Sequence, residues 1–421
     1  MRTNANPKEA KGFTLIEVLI SVSIVALIAT TLIIATNPNE IFKQARDSRR
    51  MADLTALSTA ISLYVNSGSS INMDGQGGIT CKGGSNQKVY VSIPNNQTPP
   101  QNLPSGWSYG QVTSTNLKKI DGTGWIPINF ATLVGGSPIS SLPVDPINSF
   151  TKNLFYSYTC KSNGAFELTA TLESKKYNMN GSDPKTSTDG GTDKFLFEIG
   201  TDLTLDPFSP VLELSFDEGQ GTIAYDSSGN NNNGTLCNGS SCGVQGPQWV
   251  DGKVGKALSF DGVDDWVQTI NQIPLMSSIT IVAWVNHLSP SNGAGSTRTI
   301  FTQPGCDNPG CGFDFKTGGD GGFIFVIRDS YGNQKALSTS IENNKWIFLA
   351  GTYNQNSITI YKNGTITATG LGGTGIDWGN RTLFISHPSA YSPFKGLIDE
   401  VRIYNRALSD SEIKALYEAT K

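Results

Sequence analysis

The chain has 421 residues, a formal net charge of −4, 16% charged residues and 37% hydrophobic residues. This length predicts two or three domains, and a near-neutral balance without a basic stripe argues against nucleic acid as a partner. The charged and hydrophobic fractions are both low for a cytosolic enzyme and plausible for a Gly-, Asn- and Ser-rich surface β protein. The 46 glycines and 20 prolines predict many turns.

A short basic leader and a long apolar run form the N-terminus. The run opens with Gly12-Phe13-Thr14-Leu15-Ile16-Glu17. Apart from Glu17, residues 13–36 carry no charge, and a helix of that length is roughly 36 Å long, enough to cross the hydrocarbon core of a bilayer. A secretory signal would place its small residues after the apolar region. A carboxylate inside such a segment is unfavourable unless a cation pairs with it.

This pattern resembles the class III signal of type IV pilins and pseudopilins. The resemblance implies that residues 1–12 are a leader peptide, that prepilin peptidase cleaves after Gly12, and that the new amine of Phe13 is methylated. It also implies that residues 13–36 form a transmembrane helix in the inner, cytoplasmic membrane and then the core of a filament at the cell surface. There the Glu17 carboxylate meets the amino terminus of another pilin subunit. The alternative is a plain signal anchor in which Glu17 has no role.

A second helical segment follows Pro38, which predicts a kink at the preceding residue. Apolar residues then recur at helical spacing, namely Leu54, Leu57, Ile61 and Tyr64. The glycine at position 68 ends the pattern. This stripe predicts an amphipathic half of the helix that packs on a pilin-like head covering residues 37–203.

Strand-like runs and a proline-rich turn define that head. Residues 155–158 and 166–173 alternate and predict antiparallel strands, and a Leu-Pro-Val-Asp-Pro turn at 142–146 precedes them. The order resembles the head of the major pseudopilin of type II secretion. The resemblance implies an α+β pilin module, with a long N-terminal helix and a small antiparallel sheet. Trp107 and Trp125 are predicted to lie in its core.

An Asp- and Gly-rich loop at residues 189–193 is the first candidate metal site. The pseudopilin resemblance implies a calcium loop in this region. Asp189 and Asp193 offer two carboxylates of the kind that a hard cation binds. The alternative is a solvated turn, which uses the same residue types.

The six cysteines are Cys81, Cys160, Cys237, Cys242, Cys306 and Cys311. An even number after an export signal predicts three disulfides, paired in chain order by proximity alone. A zinc site is the rival. It is disfavoured because neither close pair has CxxC spacing and because His287 and His387, the two histidines, lie in strand-like runs.

Residues 204–210 contain two prolines and predict a short, stiff linker to a second domain over residues 211–421. Short alternating strands separated by Gly, Asn and Asp turns follow, at 212–216, 257–260, 266–269, 279–285, 323–327, 346–353, 357–362, 382–385 and 397–404. Many short strands at such spacing predict a β-sandwich.

Several motifs specify the kind of sandwich. They are Lys-Ala-Leu-Ser-Phe-Asp-Gly-Val-Asp-Asp-Trp-Val at 256–267, Ile-Val-Ala-Trp-Val at 281–285 and Lys-Gly-Leu-Ile-Asp-Glu-Val-Arg-Ile-Tyr at 395–404. They resemble the laminin G-like, concanavalin A-like jelly roll found in lectins. The predicted fold class is therefore an α+β pilin module followed by an all-β jelly-roll sandwich.

Two local features complete the second domain. Ser409 and Glu412 form a capping box that predicts a short C-terminal helix. Trp266, Trp284 and Trp346 lie within apolar runs and are predicted to pack between the two sheets.

A second calcium site is implied by the jelly-roll resemblance, since related domains hold a structural calcium with an aspartate of the last strand. By position the candidates are Asp226, Asn230 and Asp399. The alternative is an ion network in which Asp399 or the adjacent Glu400 pairs with an arginine at 402 or 406.

Catalysis is not expected. Glycoside hydrolases of this fold place two carboxylates across a cleft, and the Glu-x-Asp-x-x-Glu run of the relevant branch is absent. Adjacent acids such as Asp264 and Asp265 point to opposite faces of a strand. Neither histidine accompanies a nucleophile motif. A glycan or protein receptor is the expected ligand, and no ligand-binding residue is assigned.

These features predict a minor or tip subunit of a type IV pilus-like filament that displays a lectin-like domain for adhesion. The first alternative is a pseudopilin of a type II secretion-like system, which the head resemblance favours and the added domain disfavours. The others are a polysaccharide-acting enzyme displayed on a filament and a purely structural role in the fibre.

Overall fold

The computed structural model describes residues 14–67, 71–99, 103–179, 181–274, 277–288, 297–304, 312–318, 322–328, 334–340, 342–373, 380–386 and 392–421. The predictions for Gly12 and Phe13 and for the Cys306–Cys311 disulfide lie outside these residues.

Two consecutive helices form the N-terminal part of the described chain. Helix α1 spans Leu15–Thr36 and helix α2 spans Pro38–Asn66. Between them Asn37 adopts a left-handed conformation with φ 40°, which confirms the interruption expected before Pro38. Over the part of the chain that the structure describes, no helix combines the length and apolar character needed to cross a membrane.

Glu17 helps to begin helix α1. The backbone N–H and the hydroxyl of Thr14 donate to Glu17 Oε2 at 2.8 and 2.7 Å, and Glu17 N donates back to Thr14 Oγ1 at 3.3 Å. This is a capping box, which satisfies N–H groups that a helix start leaves free. The pilin resemblance assigns the Glu17 carboxylate to filament assembly. In the single chain this carboxylate binds Thr14 instead.

The apolar stripe of α2 packs against a five-stranded sheet. The strands are β1 (Gln87–Val91), β2 (Trp107–Gly110), β3 (Tyr156–Cys160), β4 (Phe166–Thr171) and β5 (Leu196–Gly200), in the order β2-β1-β3-β4-β5. Short 3₁₀ helices lie at Phe130–Thr132 and Phe150–Lys152. The prediction of an antiparallel sheet is wrong for one pair, because β1 and β2 run parallel. The segment between them is long enough to return to the starting end of β1, as a parallel pair requires.

The head core lies between α2 and this sheet. It includes Leu54, Leu57 and Ile61 of the helix, all fully buried, and Trp125, which is also fully buried as predicted. The predicted Cys81–Cys160 disulfide is present and joins the segment before β1 to the end of β3. Trp107 is half-buried at the sheet edge beside a smaller apolar cluster.

The second domain consists of β6 (Leu212–Leu214), β7 (Ile223–Ala224), β8 (Gly234–Asn238), β9 (Ser241–Cys242), β10 (Gln248–Asp251), β11 (Lys256–Asp261), β12 (Asp265–Thr269), β13 (Ile273–Pro274), β14 (Ile279–His287), β15 (Arg298–Pro304), β16 (Gly312–Thr317), β17 (Gly322–Arg328), β18 (Gln334–Ser340), β19 (Trp346–Tyr353), β20 (Ser357–Lys362), β21 (Thr365–Leu371), β22 (Asn380–Arg381), β23 (Phe384–Ile385), β24 (Ser392–Pro393), β25 (Lys395–Tyr404) and helix α3 (Asp410–Thr420). Every strand predicted from the sequence of this domain overlaps one of these.

Two large sheets face each other in this domain. The first has the order β10-β11-β25-β14-β19-β20-β21 with β6 on β25, and the second has the order β18-β17-β16-β15-β23-β12-β8-β7. Apolar side chains of both sheets fill the space between them, among them Phe260, Phe301, Phe325 and Ile398. The predicted all-β sandwich is therefore observed. The Cys237–Cys242 disulfide closes the β8–β9 hairpin as predicted.

The predicted position of three tryptophans is wrong. Trp284 and Trp346 pack beneath α3 on the outer face of the first sheet, and the Trp284 indole donates to Thr420 Oγ1 at 2.8 Å. Trp266 contacts Phe384 with ring centres 5.6 Å apart and ring planes inclined by 51°, outside the sandwich core. Strand alternation predicts which side chains share a face of the sheet, but not whether the outer face is covered. Helix α3 covers the outer face of the first sheet, so apolar side chains are buried there as well. The capping box that opens α3 is present as predicted.

Residues 204–210, here called the connector, pack against the head. Leu205 is fully buried, and Asp206 and Phe208 are 5% and 9% exposed. Leu205 N and Asp206 N each donate to Glu167 Oε2 of strand β4 at 2.7 Å. The connector is thus part of the packed structure rather than a spacer between two independent bodies.

Candidate functional site

The predicted calcium loop is closed by its own hydrogen bonds. Asp189 accepts from Gly191 N at 3.0 Å and from Glu198 N at 2.8 Å. Burial raises the pKa of Asp189 to about 6, although these backbone donors lower it. The backbone amide of Phe195 donates to Asp193 at 2.8 Å. The structure gives the two aspartates different partners.

Asp193 instead faces the second domain and three other acids. Burial raises its pKa to about 7, and the charged groups that act on it are Glu213, Arg402 and Arg406. Its own backbone amide donates to Glu198 Oε2 at 2.7 Å. Asp193 therefore joins an acidic cluster, defined here as Glu167, Asp193, Glu198 and Asp206.

The acidic cluster is buried between the head sheet and the connector. Its four members are 0%, 5%, 1% and 5% exposed in chain order. Burial raises the pKa of Glu167, Glu198 and Asp206, and the negative charge of Glu167 raises the last two further. Ionised carboxylates in such a place require a compensating cation or a proton.

A narrow interface joins the head loop after Asp193 to the second domain. Lys194 Nζ pairs with Glu213 at 3.2 Å, and the Arg402 guanidinium lies 4.8 Å from the ring centre of Phe195. Arg406 donates to the carbonyl of Phe208 at 3.1 Å and pairs with Glu412 at 2.7 Å. Strand β25 and the connector thus hold the second domain on the head.

Beside this interface lies a cleft of about 580 Å³. Its apolar wall includes Phe155, Phe195 and Leu416, and its polar rim includes Lys175 and Glu418. Both domains contribute to the cleft, as is common for ligand sites. Its lining has charges of both signs.

Two residues of the second predicted calcium site share a hydrogen-bond partner, and the third does not. Asp226 accepts from Glu213 N, Ser228 N and Asn232 N within 3.0 Å, so its oxygens already have protein donors. The Asn230 side chain donates to Ser228 Oγ at 3.1 Å. Asp226 also accepts from Ser228 Oγ at 2.8 Å, so Asp226 and Asn230 both contact Ser228, whereas Asp399 lies in strand β25 and has other hydrogen-bond partners.

Asp399 is fully buried in strand β25. Its Oδ2 accepts from Lys253 N at 2.8 Å and Val254 N at 2.9 Å, while its Oδ1 has no partner. Burial raises the pKa of Asp399 to about 8, with a further contribution from Glu400. Burial therefore favours the neutral carboxyl, and a cation beside it would favour the carboxylate.

The ion network considered for this strand exists at Glu400. Arg402 pairs with Glu400 and, at 3.2 Å, with Glu213. Glu400 has a φ of 53°, and the register against β14 shifts here. This bulge lets Asp399 and Glu400 both be buried, so the expectation that adjacent acids face opposite sides does not hold at this point.

Reasoning from the sequence did not identify one group of three neighbouring aspartates as a possible metal site. Among the described residues, the single trio of acidic, His or Cys side chains with ligand atoms within 4.8 Å of one another is Asp261, Asp264 and Asp265. Asp265 Oδ2 accepts from Asp261 N at 3.0 Å, and burial raises the pKa of Asp265 to about 6. Backbone amides of the same turn satisfy Asp261, as in an ordinary Asx turn.

Two family models match this chain, one near its N-terminus and one in its second domain. Residues 7–33 match the family model of the prokaryotic N-terminal methylation motif. The chain carries that motif. Residues 261–414 match the model of the concanavalin A-like lectin/glucanases superfamily. The predicted methylation motif and the predicted concanavalin A-like domain are thereby confirmed. The methylation motif implies a membrane-anchored precursor that prepilin peptidase processes and that assembles with other pilin subunits.

Solved structures similar to this chain each cover about half of it. Domain 4 of AbnA, a GH43 extracellular arabinanase from Geobacillus stearothermophilus in complex with arabinotriose, is 24% identical, with 50% of this chain and 98% of that chain covered and a TM-score of 0.41. The binding domain of Paraclostridial Mosquitocidal Protein 1 is 22% identical, with 50% and 52% covered and a TM-score of 0.40. The Botulinum Neurotoxin Type G receptor binding domain is 18% identical, with 50% and 51% covered and a TM-score of 0.39. A comparison with curated proteins gives no match.

Sequence reasoning missed Glu167, Glu198 and Asp206. Glu167 and Glu198 occupy the alternate positions of strands β4 and β5, where polar residues normally face water. Asp206 lies in a segment that was expected to be a linker. The connector covers this face, and the alternation of the strands does not indicate that it does.

Proposed function

We propose that this chain is a subunit of a type IV pilus-like filament that displays a lectin-like domain for adhesion. The observation that carries the proposal is the combination, in one chain, of the methylation motif at 7–33 and the concanavalin A-like match at 261–414. A bulky added domain would burden every subunit of a tight helical lattice, which favours a minor or tip position.

Adhesion requires that the displayed domain stay attached under load. The buried connector and the Lys194–Glu213 and Phe195–Arg402 contacts support this, since they hold the domain at a fixed place on the head. The ligand class that we propose is a glycan, with a protein receptor as the alternative. We further propose that the domain binds without catalysing a reaction.

Two measurements test the proposal. Detergent-solubilised full-length chain is applied to a glycan array, and saturable binding to one sugar class is expected. Sheared filaments are then probed for the chain, which should be present for wild type but absent for E17Q. The control is E40Q, which neutralises the acidic residue in the first turn of helix α2 and should leave the chain in the filaments. Absence of the wild-type chain from extracellular filaments would favour a secretion-system pseudopilin, and cleavage of an arrayed polysaccharide would favour an enzyme.

Calcium at the predicted residues is a proposal as well. Of these residues, Asp399 supports it best, because its Oδ1 is buried and has no protein partner. Repeating the array in calcium and in chelator tests whether the ion matters for binding. Equal binding in both conditions would separate any ion from the ligand site.

A further inference from the structure

The cleft beside the interface has one wall from each domain. The end of strand β4 and the segment after it contribute Thr171, Lys175 and Asn178. Helix α3 and the end of strand β25 contribute Ala415 and Tyr404. At about 580 Å³ the cleft lies within the roughly 300–1,000 Å³ that small-molecule sites occupy. It can therefore hold a ligand that contacts both domains.

Four aromatic side chains contribute to the lining, namely Phe155, Phe195, Phe208 and Tyr404. Phe155 and Phe208 pack against each other with ring centres 5.9 Å apart, and the Arg402 guanidinium lies 4.8 Å from the ring centre of Phe195. These contacts hold the rings in place before any ligand arrives. A pyranose has apolar C–H faces, and an aromatic side chain in a ligand site can pack against them.

Several polar side chains of the lining have no hydrogen-bond partner among the residues that the structure describes. They are Asn153, Thr171, Asn178 and Tyr404. An apolar ligand would remove water from these groups without replacing its hydrogen bonds. Sugar hydroxyl groups both donate and accept, as serine and threonine hydroxyls do, so a glycan can satisfy amide and hydroxyl groups alike.

The acidic side chains of the lining are balanced by neighbouring cations. Three of them form ion pairs, which are Glu412 with Arg406, Glu418 with Lys421, and Glu173 with Arg46 and Arg50 of helix α2. The fourth acid is Asp193, and the charges that act on it include those of Arg402 and Arg406. The acids therefore leave no excess negative charge that would repel an anion.

Two lysines of the lining differ from the other cations. Lys43 and Lys175 have no acidic side chain within 4.0 Å of their ammonium groups in the described part of the chain. The backbone amide of Lys175 donates to Glu40 Oε1 at 2.5 Å, and Lys43 lies one turn further along helix α2 than Glu40. Both lysines thus lie at the same end of the cleft, where they outnumber the one nearby acid.

We propose that this cleft binds an oligosaccharide that carries a carboxylate, with Lys43 and Lys175 at the acidic group and the aromatic rings against a sugar ring. The inference rests on the proposed function, since it names the class of glycan and places its site between the head and the second domain. Hydrogen bonds to an ionised group are roughly twice as strong as neutral ones, so a neutral sugar should bind more weakly.

Isothermal titration calorimetry of the full-length chain in detergent tests the proposal. The probes are two carboxylate sugars, sialyllactose and trigalacturonic acid, and two neutral ones, lactose and maltotriose. At least one acidic sugar should bind saturably and at least about tenfold more tightly than either neutral sugar, because only the acidic sugars can pair with the lysines. The two acidic probes distinguish a sialic acid from a uronic acid as the source of the carboxylate.

The variant K43Q/K175Q should weaken binding of the acidic sugar at least about tenfold, since it removes both cations. Its matched control is K118Q/K119Q, which removes the same charge from two exposed lysines that do not line the cleft and should bind as wild type does.

A second variant tests the cleft without changing its charge. Ala415 is exposed on helix α3 and lines the cleft, so the indole of A415W should fill the space and abolish binding. K414W places the same ring at an exposed position of α3 that does not line the cleft, and it should retain binding. Circular dichroism checks the fold of each variant, and A415W decides if K43Q/K175Q fails to fold.

Three results would overturn the proposal. One is binding of the acidic sugars that is unchanged in both K43Q/K175Q and A415W, which would leave the glycan-binding function intact and place its site elsewhere on the chain. Another is equal affinity for acidic and neutral sugars. The third is that neither acidic sugar binds. In that case a positive glycan array would remove only this site, and a negative array would remove the proposed ligand class as well.

Discussion

Arg50 of helix α2 binds both carboxylate oxygens of Asp145, with Nε to Oδ2 at 2.6 Å and Nη2 to Oδ1 at 3.1 Å. Both side chains are completely buried. The same guanidinium donates to Asp47 and Glu173 at 2.7 Å each. Arg50 therefore connects the helix that follows the filament segment to the Asp-Pro turn and to the end of strand β4.

Replacing Arg50 by methionine should strongly destabilise the head. The change leaves Asp47 and Asp145 buried without their cation, and removal of one partner from a buried pair lowers the free energy of unfolding by about 3–5 kcal/mol. Chemical denaturation of the full-length chain measures the effect. The control is R49M, because Arg49 is 66% exposed and its pair with Asp53 at 3.7 Å should contribute at most about 1 kcal/mol. Equal losses in the two variants would contradict this account.

The sequence was sufficient for features that rest on local pattern. Helix α2, the β-sandwich strands and the Ser409 capping box follow from periodicity, turn residues and short-range hydrogen bonds. The parallel β1–β2 pair and the outward position of Trp284 depend instead on how distant segments cover a surface.

The arrangement of the candidate site also depends on distant segments, which is why the sequence did not predict it. Asp189 and Asp193 belong to the same short loop, yet Asp193 is close enough to Arg402 of the second domain to be influenced by its charge. A glutamate at an alternate strand position such as Glu167 is expected to face solvent, but in the structure the connector covers it. A single sequence does not show which polar face becomes an interior.

The two disulfides seen among the described residues should contribute unequally to stability. Cys81 and Cys160 are separated by 79 residues and Cys237 and Cys242 by 5. In the chain-entropy model these loops correspond to about 4.5 and about 2 kcal/mol. The C81S/C160S double variant should therefore unfold at a lower denaturant concentration than C237S/C242S. The reverse order would show that native-state interactions, not loop closure, dominate.

The second domain should become less stable as the pH rises, because the buried Asp399 carboxyl then loses its proton. Burial raises the pKa of Asp399 from 3.8 to about 8, so the protonated carboxyl stabilises the fold fully below pH 3.8 and this contribution is lost as the pH rises toward 8. D399N stays neutral and can still accept from Lys253 N and Val254 N. In chelator, the decline in unfolding free energy from pH 4 to pH 8 should be smaller in D399N than in wild type.

Measuring the same pH dependence of unfolding in calcium tests whether the predicted ion binds at Asp399. An ion beside Oδ1 would favour the carboxylate, so wild type would keep its stability at pH 8 in calcium and D399N would gain nothing from the ion. An unchanged pH dependence of wild type in calcium would exclude Asp399 as a ligand.

Phe208 is expected to fix the connector to both domains. Its ring lies 6.2 Å from that of Tyr109 and 5.9 Å from that of Phe155 in the head, and Arg406 of the second domain lies 5.4 Å from its centre. F208A should lower the free energy of unfolding by about 3–5 kcal/mol. It should also make residues 204–210 sensitive to limited proteolysis, giving two fragments that mass spectrometry identifies. Y225A removes a ring that is 59% exposed and should leave the digestion pattern unchanged. Resistance of F208A equal to that of Y225A would mean that the connector is held by Leu205 and Asp206 on Glu167, without the aromatic contacts.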